Sequence, residues 1–400
     1  MSPPAVRALR ANLWKLYLIQ VCRWFLLLMP VLVLFYQENG LDLQDVFIVQ
    51  AFFSVCIIVF EVPSGYFADR LGRRRSMLVG TTCGSLGFGI YALSHTLPEI
   101  LCAQFFIALG GSFISGSDSA LLYDTLIELK QSEQYQRIAG RLGSIGNFSE
   151  GIAGLLGGFL ALISLRTPLY YQAGLMFIAI PLAWSLVEPN RRVDDHDHDH
   201  GKSSFKAILE IVRYALHGHA EVKWLILYSS LVGTSTLTIV WFVQPYLQAV
   251  KLPLVLFGTA WAALQFSVGL FAINAHRIEY VLGRRNALIS LILLSSAGYL
   301  LLSQFQALWA TVFLFIFYLV RGINGPVLND YINRCVSSDI RATVLSVKSL
   351  VGRVMFAVFG PFVGWIHDSY SLSAAFLVCG LSFLSLGLFF LMCLRRNRLF

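Results

Sequence analysis

The sequence predicts an all-α integral membrane protein with twelve spanning helices in two pseudo-symmetric six-helix bundles. Three observations carry that expectation: an apolar excess, a series of long apolar runs, and an internal repeat. Of 400 residues, 57% are hydrophobic and 13% charged. Soluble domains hold roughly 45–50% and about 25%. Disorder needs the opposite balance, and the 32 Gly and 12 Pro follow no collagen-like period.

A spanning helix takes roughly 20 apolar residues. Runs of that kind lie near 13–36, 44–68, 76–95, 97–127, 139–162 and 167–187. A second set lies near 223–248, 254–280, 286–304, 307–333, 341–366 and 372–394. Strands of a membrane barrel are about half as long and alternate with period two. The first run is too long for the apolar region of a signal peptide, so no cleavable leader is expected.

Lys and Arg set the expected orientation. Arg70, Arg73, Arg74 and Arg75 follow the second span, and Lys130, Arg137 and Arg141 follow the fourth. Arg277, Arg284 and Arg285 follow the eighth, and Arg395, Arg396 and Arg398 the last. The alternate loops hold only Arg166 and Lys251. Both termini are therefore expected in the cytoplasm, and the net charge of +8 is a topology signal rather than a nucleic-acid patch. Short tails and loops suit a bacterial inner-membrane protein.

Leu71-Gly72-Arg73-Arg74 recurs as Leu282-Gly283-Arg284-Arg285, each after the second span of its half. The chain thus divides into residues 1–187, a linker over 188–222, and residues 223–400. Paired repeats with a site between them are a transporter architecture.

Gly65-Tyr66-Phe67-Ala68-Asp69-Arg70-Leu71-Gly72-Arg73-Arg74 resembles motif A of the major facilitator superfamily, G-x-L-A-D-R-x-G-R-R. Phe67 replaces the usual Leu, and Met77 the closing Leu. With the spans and the repeat, the resemblance covers essentially the whole chain. Gly65 suits close helix approach, Gly72 a tight turn, and Asp69 a facing helix N-terminus. The resemblance implies that Gly65, Asp69, Arg70, Gly72 and Arg73 form a conformational latch between the halves. The fifth span resembles the family's antiporter motif, G-x-x-x-G-P-x-x-G-G, with two departures. Ser149 stands for the first Gly, and Ala153-Gly154 for Gly-Pro. Gly143, Gly151, Gly154 and Gly158 still offer a thin face for close packing.

Charge at the bilayer centre costs about 2.5–3.5 kcal/mol on insertion scales, so buried ionisable residues are functional candidates. Arg23, Glu150, Arg321 and Arg353 lie near the middle of their spans, and the resemblance implies that those spans line a central cavity. Three fixed cations and one carboxylate give that cavity positive character, suited to an anionic or zwitterionic group. Glu150 is the leading proton-coupling candidate, with Asp118 and Glu61 behind it. A static Glu150–Arg23 pair, or an Arg paired with helix-end carbonyls or with a nearby acid such as Asp118 or Asp330, is the structural alternative. Asp118 shares a polar stripe with Ser112, Ser115 and Ser119, while Asp124 and Asp330 suit anchors for helix ends beside basic turns. Trp241, Gln244, Tyr246, Trp261 and Gln265 are candidates for an apolar pocket with polar contacts.

Residues 194–200 alternate Asp and His. His196, His198 and His200 are weak candidates for a divalent cation, and a solvated linker is the plainer reading. Phe205, Ile208, Leu209 and Val212 follow at helical spacing, as in an amphipathic surface helix.

No H-E-x-x-H, nucleophile elbow or P-loop occurs, which argues against a membrane enzyme or an ATP-driven pump. The expected activity is alternating-access export of a small amphipathic molecule, anionic or zwitterionic, coupled to protons. The alternatives are an organic-anion importer or symporter and a metal-chelate (siderophore) exporter. The expected partners are the bilayer, the substrate and protons; no cofactor or nucleic acid is expected, and the protein is expected to be a monomer.

Overall fold

The computed structural model describes residues 3–189, 219–337 and 340–397. It is 89% helical, with no strand among the described residues. In chain order the helices are α1 (Pro3–Trp24), α2 (Leu32–Glu38), α3 (Leu43–Leu71), α4 (Arg73–Leu93), α5 (Leu97–Ile114), α6 (Ser117–Glu128), α7 (Tyr135–Ala161) and α8 (Thr167–Trp184). They continue as α9 (Ala220–Ala249), α10 (Phe257–Gln304), α11 (Leu314–Arg334), α12 (Arg341–Ser369) and α13 (Leu372–Arg396). Nine described stretches are long and apolar enough to cross a membrane. One of them, Leu254–Gln304, has 51 residues and turns at Gly283 (φ 73°, ψ 155°), which divides it into two crossings. Tyr135–Ala161 and Thr167–Trp184, where the fifth and sixth spans are expected, are helical as well.

Two spans that read as continuous in the sequence are broken. The first passes from α1 to α2 through a 3-10 turn, Met29–Val31, at Pro30. The fourth passes from α5 to α6 at Ser115–Gly116, where Gly116 has φ 78°. Backbone groups freed by a break inside a membrane need partners. The Leu27 N–H donates to Gln172 Oε1 at 3.0 Å. The Leu27 carbonyl lies so close to α7 that a Cβ at Gly157 would overlap it.

The chain forms two compact units. The first comprises Met1–Gly40, Phe52–Asp197 and Leu254–Ala262, and the second Leu41–Ala51, His198–Pro253 and Ala263–Phe400, so far as these are described. α3 therefore begins in the second unit and continues in the first, and α10 does the reverse. In the first unit α4 packs on α5 and α8, and α1 on α7 and α8. There a Cβ on Gly158 would come within 2.7 Å of the Gly258 Cα, so only glycines allow that approach. In the second unit α9 is the central helix, packed on α11, α12 and α13. The start of α3 is held there by Asp368, whose carboxylate accepts from the Leu43 and Gln44 amides at 3.3 and 2.6 Å.

Candidate functional site

In the first unit, the two helix breaks bring opposite charges together. Arg23 stands in the last turn of α1 and Asp118 in the first turn of α6. Each is at the helix end whose dipole favours its sign. Arg23 Nη1 donates to Asp118 Oδ2 at 3.3 Å, with side chains 20% and 28% exposed. Asp118 Oδ1 accepts from the Ser119 amide at 2.6 Å. The pair lines a cavity of about 160 Å³ with Gln20, Ser119 and the apolar Leu16, Ile19, Met77 and Ile114. Of the polar stripe, Ser119 faces this cavity, while the Ser112 hydroxyl is buried with no hydrogen-bond partner. The pairing of Arg23 with Asp118 is the one the sequence reading held as a structural alternative.

Glu150 is half-buried near the middle of α7, and it is not without a partner. Glu61 lies exposed on α3. Trp261 is buried in the first unit against Gly154 of α7, where a Cβ would come within 2.7 Å of its ring. Gln265, a turn later on α10, is half-buried and belongs to the second unit.

The second unit carries a different set. Arg321 sits at the midpoint of the span Leu308–Arg334 and is half-buried. Among the described residues no hydrogen bond or ion pair engages it. Arg353 is half-buried on α12 and does have a partner. Trp241, Gln244 and Tyr246 are buried in α9. The Trp241 indole N–H has no hydrogen-bond partner, whereas the Tyr246 hydroxyl donates to the Phe305 carbonyl at 2.8 Å. The Asn324 carbonyl oxygen, one turn from Arg321, is also buried without a partner.

The motif turn is a cluster of its own. Gly72 adopts φ 103° between α3 and α4. The Arg73 and Arg74 amides, at the start of α4, donate to the Glu188 carboxylate at 2.8 and 2.7 Å. The Arg73 guanidinium meets Asp124 at 3.1 Å, and Arg74 donates to the Trp184 carbonyl at 2.7 Å, at the end of α8. Arg70 lies over the Tyr66 ring at 5.3 Å. Asp69 is exposed and has a partner. Among the described residues, Gly65 has open space where its Cβ would be, and no helix approaches it closely. Asp124 anchors Arg73 as a helix-end acid, and Asp330 pairs with Arg334 at 2.8 Å one turn along α11. At the repeat turn, Arg284 lies 4.5 Å over the Tyr331 ring, and Tyr331 donates to Glu279 at 2.6 Å.

Sequence reasoning missed Glu188, Lys348 and Asp368. Glu188 was placed at the start of the linker; the available signal was a single carboxylate following a span whose neighbouring turn opens a helix. Lys348 lies inside the eleventh span, five residues before Arg353 and nearer the span's start, and its neighbour Asn329 is on another helix. His196, His198, His200 and the amphipathic stretch lie outside the described residues. Among the described residues, no group of three or more His, Cys, Asp or Glu could hold a metal ion.

Helices long and apolar enough to cross a membrane, two of them broken where opposite charges meet, define a polytopic membrane protein. The chain belongs to the Major Facilitator Superfamily, whose sequence model matches residues 14–359. It is 24% identical over 361 residues to the uncharacterized MFS-type transporter YxaM of Bacillus subtilis (strain 168), covering 87% of each chain. It is 22% identical over 166 residues to the quinolone resistance protein NorA of Staphylococcus aureus (strain Mu50 / ATCC 700699), covering 42% of each. Among solved structures, the nucleoside transporter NupG superposes with a TM-score of 0.78 at 16% identity, covering 98% of this chain and 99% of that one. A bacterial homologue of the human lysosomal transporter Spinster, inward-facing and occupied, superposes with a TM-score of 0.72 at 14% identity, covering 99% and 98%. At these identities the structural likeness speaks for the fold alone.

Proposed function

We propose that this transporter exports a small amphipathic organic molecule with an anionic or zwitterionic group, in exchange for protons. The observation that carries the reading is Arg321, a fixed cation at a span midpoint with no partner among the described residues. A buried charge of this kind is costly to keep, and an anion that neutralises it recovers that cost. The similarity to NorA, a resistance protein, supports export. Asp118, paired with Arg23 at the wall of a cavity, and the half-buried Glu150 are the proton-coupling candidates, with Glu61 third. Trp241, Gln244, Trp261 and Gln265 would contact the apolar body of the substrate, and Gly65, Asp69, Arg70, Gly72 and Arg73 would form the latch. The basic loops support an orientation with both termini on the cytoplasmic side of a bacterial inner membrane and 188–222 as the linker between the halves.

The test is a proton-flux assay on purified protein in liposomes carrying a pH gradient. Amphipathic anions, zwitterions and cations of similar size are added in turn. The reading expects an anion or zwitterion to discharge the gradient by exchange. If substrates cross with no proton movement, the coupling is wrong; if only cations discharge the gradient, the charge assignment is wrong.

A further inference from the structure

The second unit holds one more buried cation, Lys348. It is half-buried on α12, and its ammonium donates to Asn329 Oδ1 of α11 at 2.6 Å. Its partner is therefore a neutral amide. The backbone around it is fixed: Ser230 of α9 donates to the Lys348 carbonyl at 3.1 Å.

The charge inside α11 and α12 is one-sided. Between residues 219 and 400 the acids are Glu221, Glu279, Asp330, Asp339 and Asp368. Glu221 opens α9 and Asp368 closes α12. Asp330 is committed to Arg334 near the end of α11. Glu279 takes the Tyr331 hydroxyl beside the turn at Gly283. Asp339 lies outside the described residues. The charged side chains well inside α11 and α12 are thus Arg321, Lys348 and Arg353, all basic. Along the helix axes, at 1.5 Å per residue, Lys348 lies about 10 Å from the start of α12 at Arg341. Arg353 lies about 18 Å from that start, and Arg321 about 20 Å from the end of α11 at Arg334.

We propose that Lys348, presented by Asn329, is a specificity-determining residue that receives the anionic group of the substrate ahead of Arg321, so that α11 and α12 form a graded cationic path. This rests on the reading of the substrate as an anion. An ammonium is a compact cation with three donors. With one donor spent on Asn329, two remain for a carboxylate, sulfonate or phosphate oxygen. An amide partner holds the side chain without neutralising it, which an acid at position 329 would do.

The test uses two fluorescent probes with the same aromatic body, 8-anilinonaphthalene-1-sulfonate and its uncharged parent N-phenyl-1-naphthylamine. Each is titrated onto the full-length protein in lipid nanodiscs, with empty nanodiscs as the blank. The wild-type protein is expected to favour the sulfonate. Lys348→Gln is expected to weaken sulfonate binding about tenfold, the scale of one charge-assisted hydrogen bond, and to leave the parent within twofold. Lys348→Arg is expected to restore most of the preference. Asn329→Asp keeps the lysine but supplies an acid, and it too is expected to lower sulfonate affinity. Monodisperse elution and an unchanged melting temperature exclude misfolding. A wild-type protein with no preference for the sulfonate overturns the anion reading itself. A wild-type preference that survives Lys348→Gln overturns the role of Lys348 alone. Unchanged sulfonate affinity in Lys348→Gln with lost proton coupling would also overturn it, by making Lys348 a proton site.

Discussion

The two units solve the problem of charge in a membrane in opposite ways. In the first, a cation and an acid meet at the ends of two broken helices, and Arg23 and Asp118 neutralise each other at 3.3 Å. In the second, Arg321, Lys348 and Arg353 lie within continuous α-helices, α11 and α12, whose interior holds no acid. Arg321 has no partner among the described residues, and Lys348 has only an amide. A balanced pair suits a group that exchanges protons and shifts with conformation. An uncompensated cation suits a ligand that brings the missing charge.

The comparison predicts that removing a cation has unequal consequences in the two units. The largest loss of stability is expected for Arg23→Ala, which leaves Asp118 uncompensated beside its cavity. A fully buried pair broken in this way costs about 3–5 kcal/mol; partial exposure lowers the expectation here to about 2–3 kcal/mol. Thermal unfolding in detergent measures it, and the double variant Arg23→Gln/Asp118→Asn should recover most of the loss. If the double variant is no better than the single one, the pair is not coupled.

Gly158→Val comes next. The side chain meets the Gly258 backbone, which cannot yield as a side chain would, so overpacking of about 1–3 kcal/mol is expected. Gly65→Val, with open space around it, is the control and should melt as the wild type does. Equal melting of the two valine variants would contradict the packing described for α7.

Glu188→Gln should cost about 1 kcal/mol, since the amide keeps the shape of the cap and loses its charge at the N-terminus of α4. High salt should shrink the difference if charge is the cause. Arg321→Gln should have the smallest effect on melting, within about 0.5 kcal/mol of wild type, because no acid is orphaned. Its effect should fall on binding of organic anions. A melting loss as large as that of Arg23→Ala would show that Arg321 is a structural partner after all, and would erase the contrast between the units.

The class of fold was readable in the sequence because membrane burial leaves a coarse signal, long apolar runs and one-sided basic loops. The turn at Gly72 was equally readable, since a glycine between two charged clusters at a span end has few other uses. The helix breaks at Pro30 and Gly116 were not, because hydropathy averages over such a short interruption. The partner of Arg23 turned on those breaks: Arg23 and Asp118 meet because two helices stop where they do, and the sequence alone offered Glu150 as well. Lys348 was missed for a related reason. Depth in a span can be counted, but the identity of a neighbour across helices, here the amide of Asn329, cannot.

Substrate-evoked proton flux in proteoliposomes, comparing wild type with Arg321→Gln/Lys348→Gln, tests the division of labour between the units most directly. The account predicts that 8-anilinonaphthalene-1-sulfonate discharges the gradient through the wild-type protein, that its uncharged parent does so weakly, and that the double variant loses the response to the sulfonate. Equal discharge by both probes, or a sulfonate response that persists in the double variant, would contradict it.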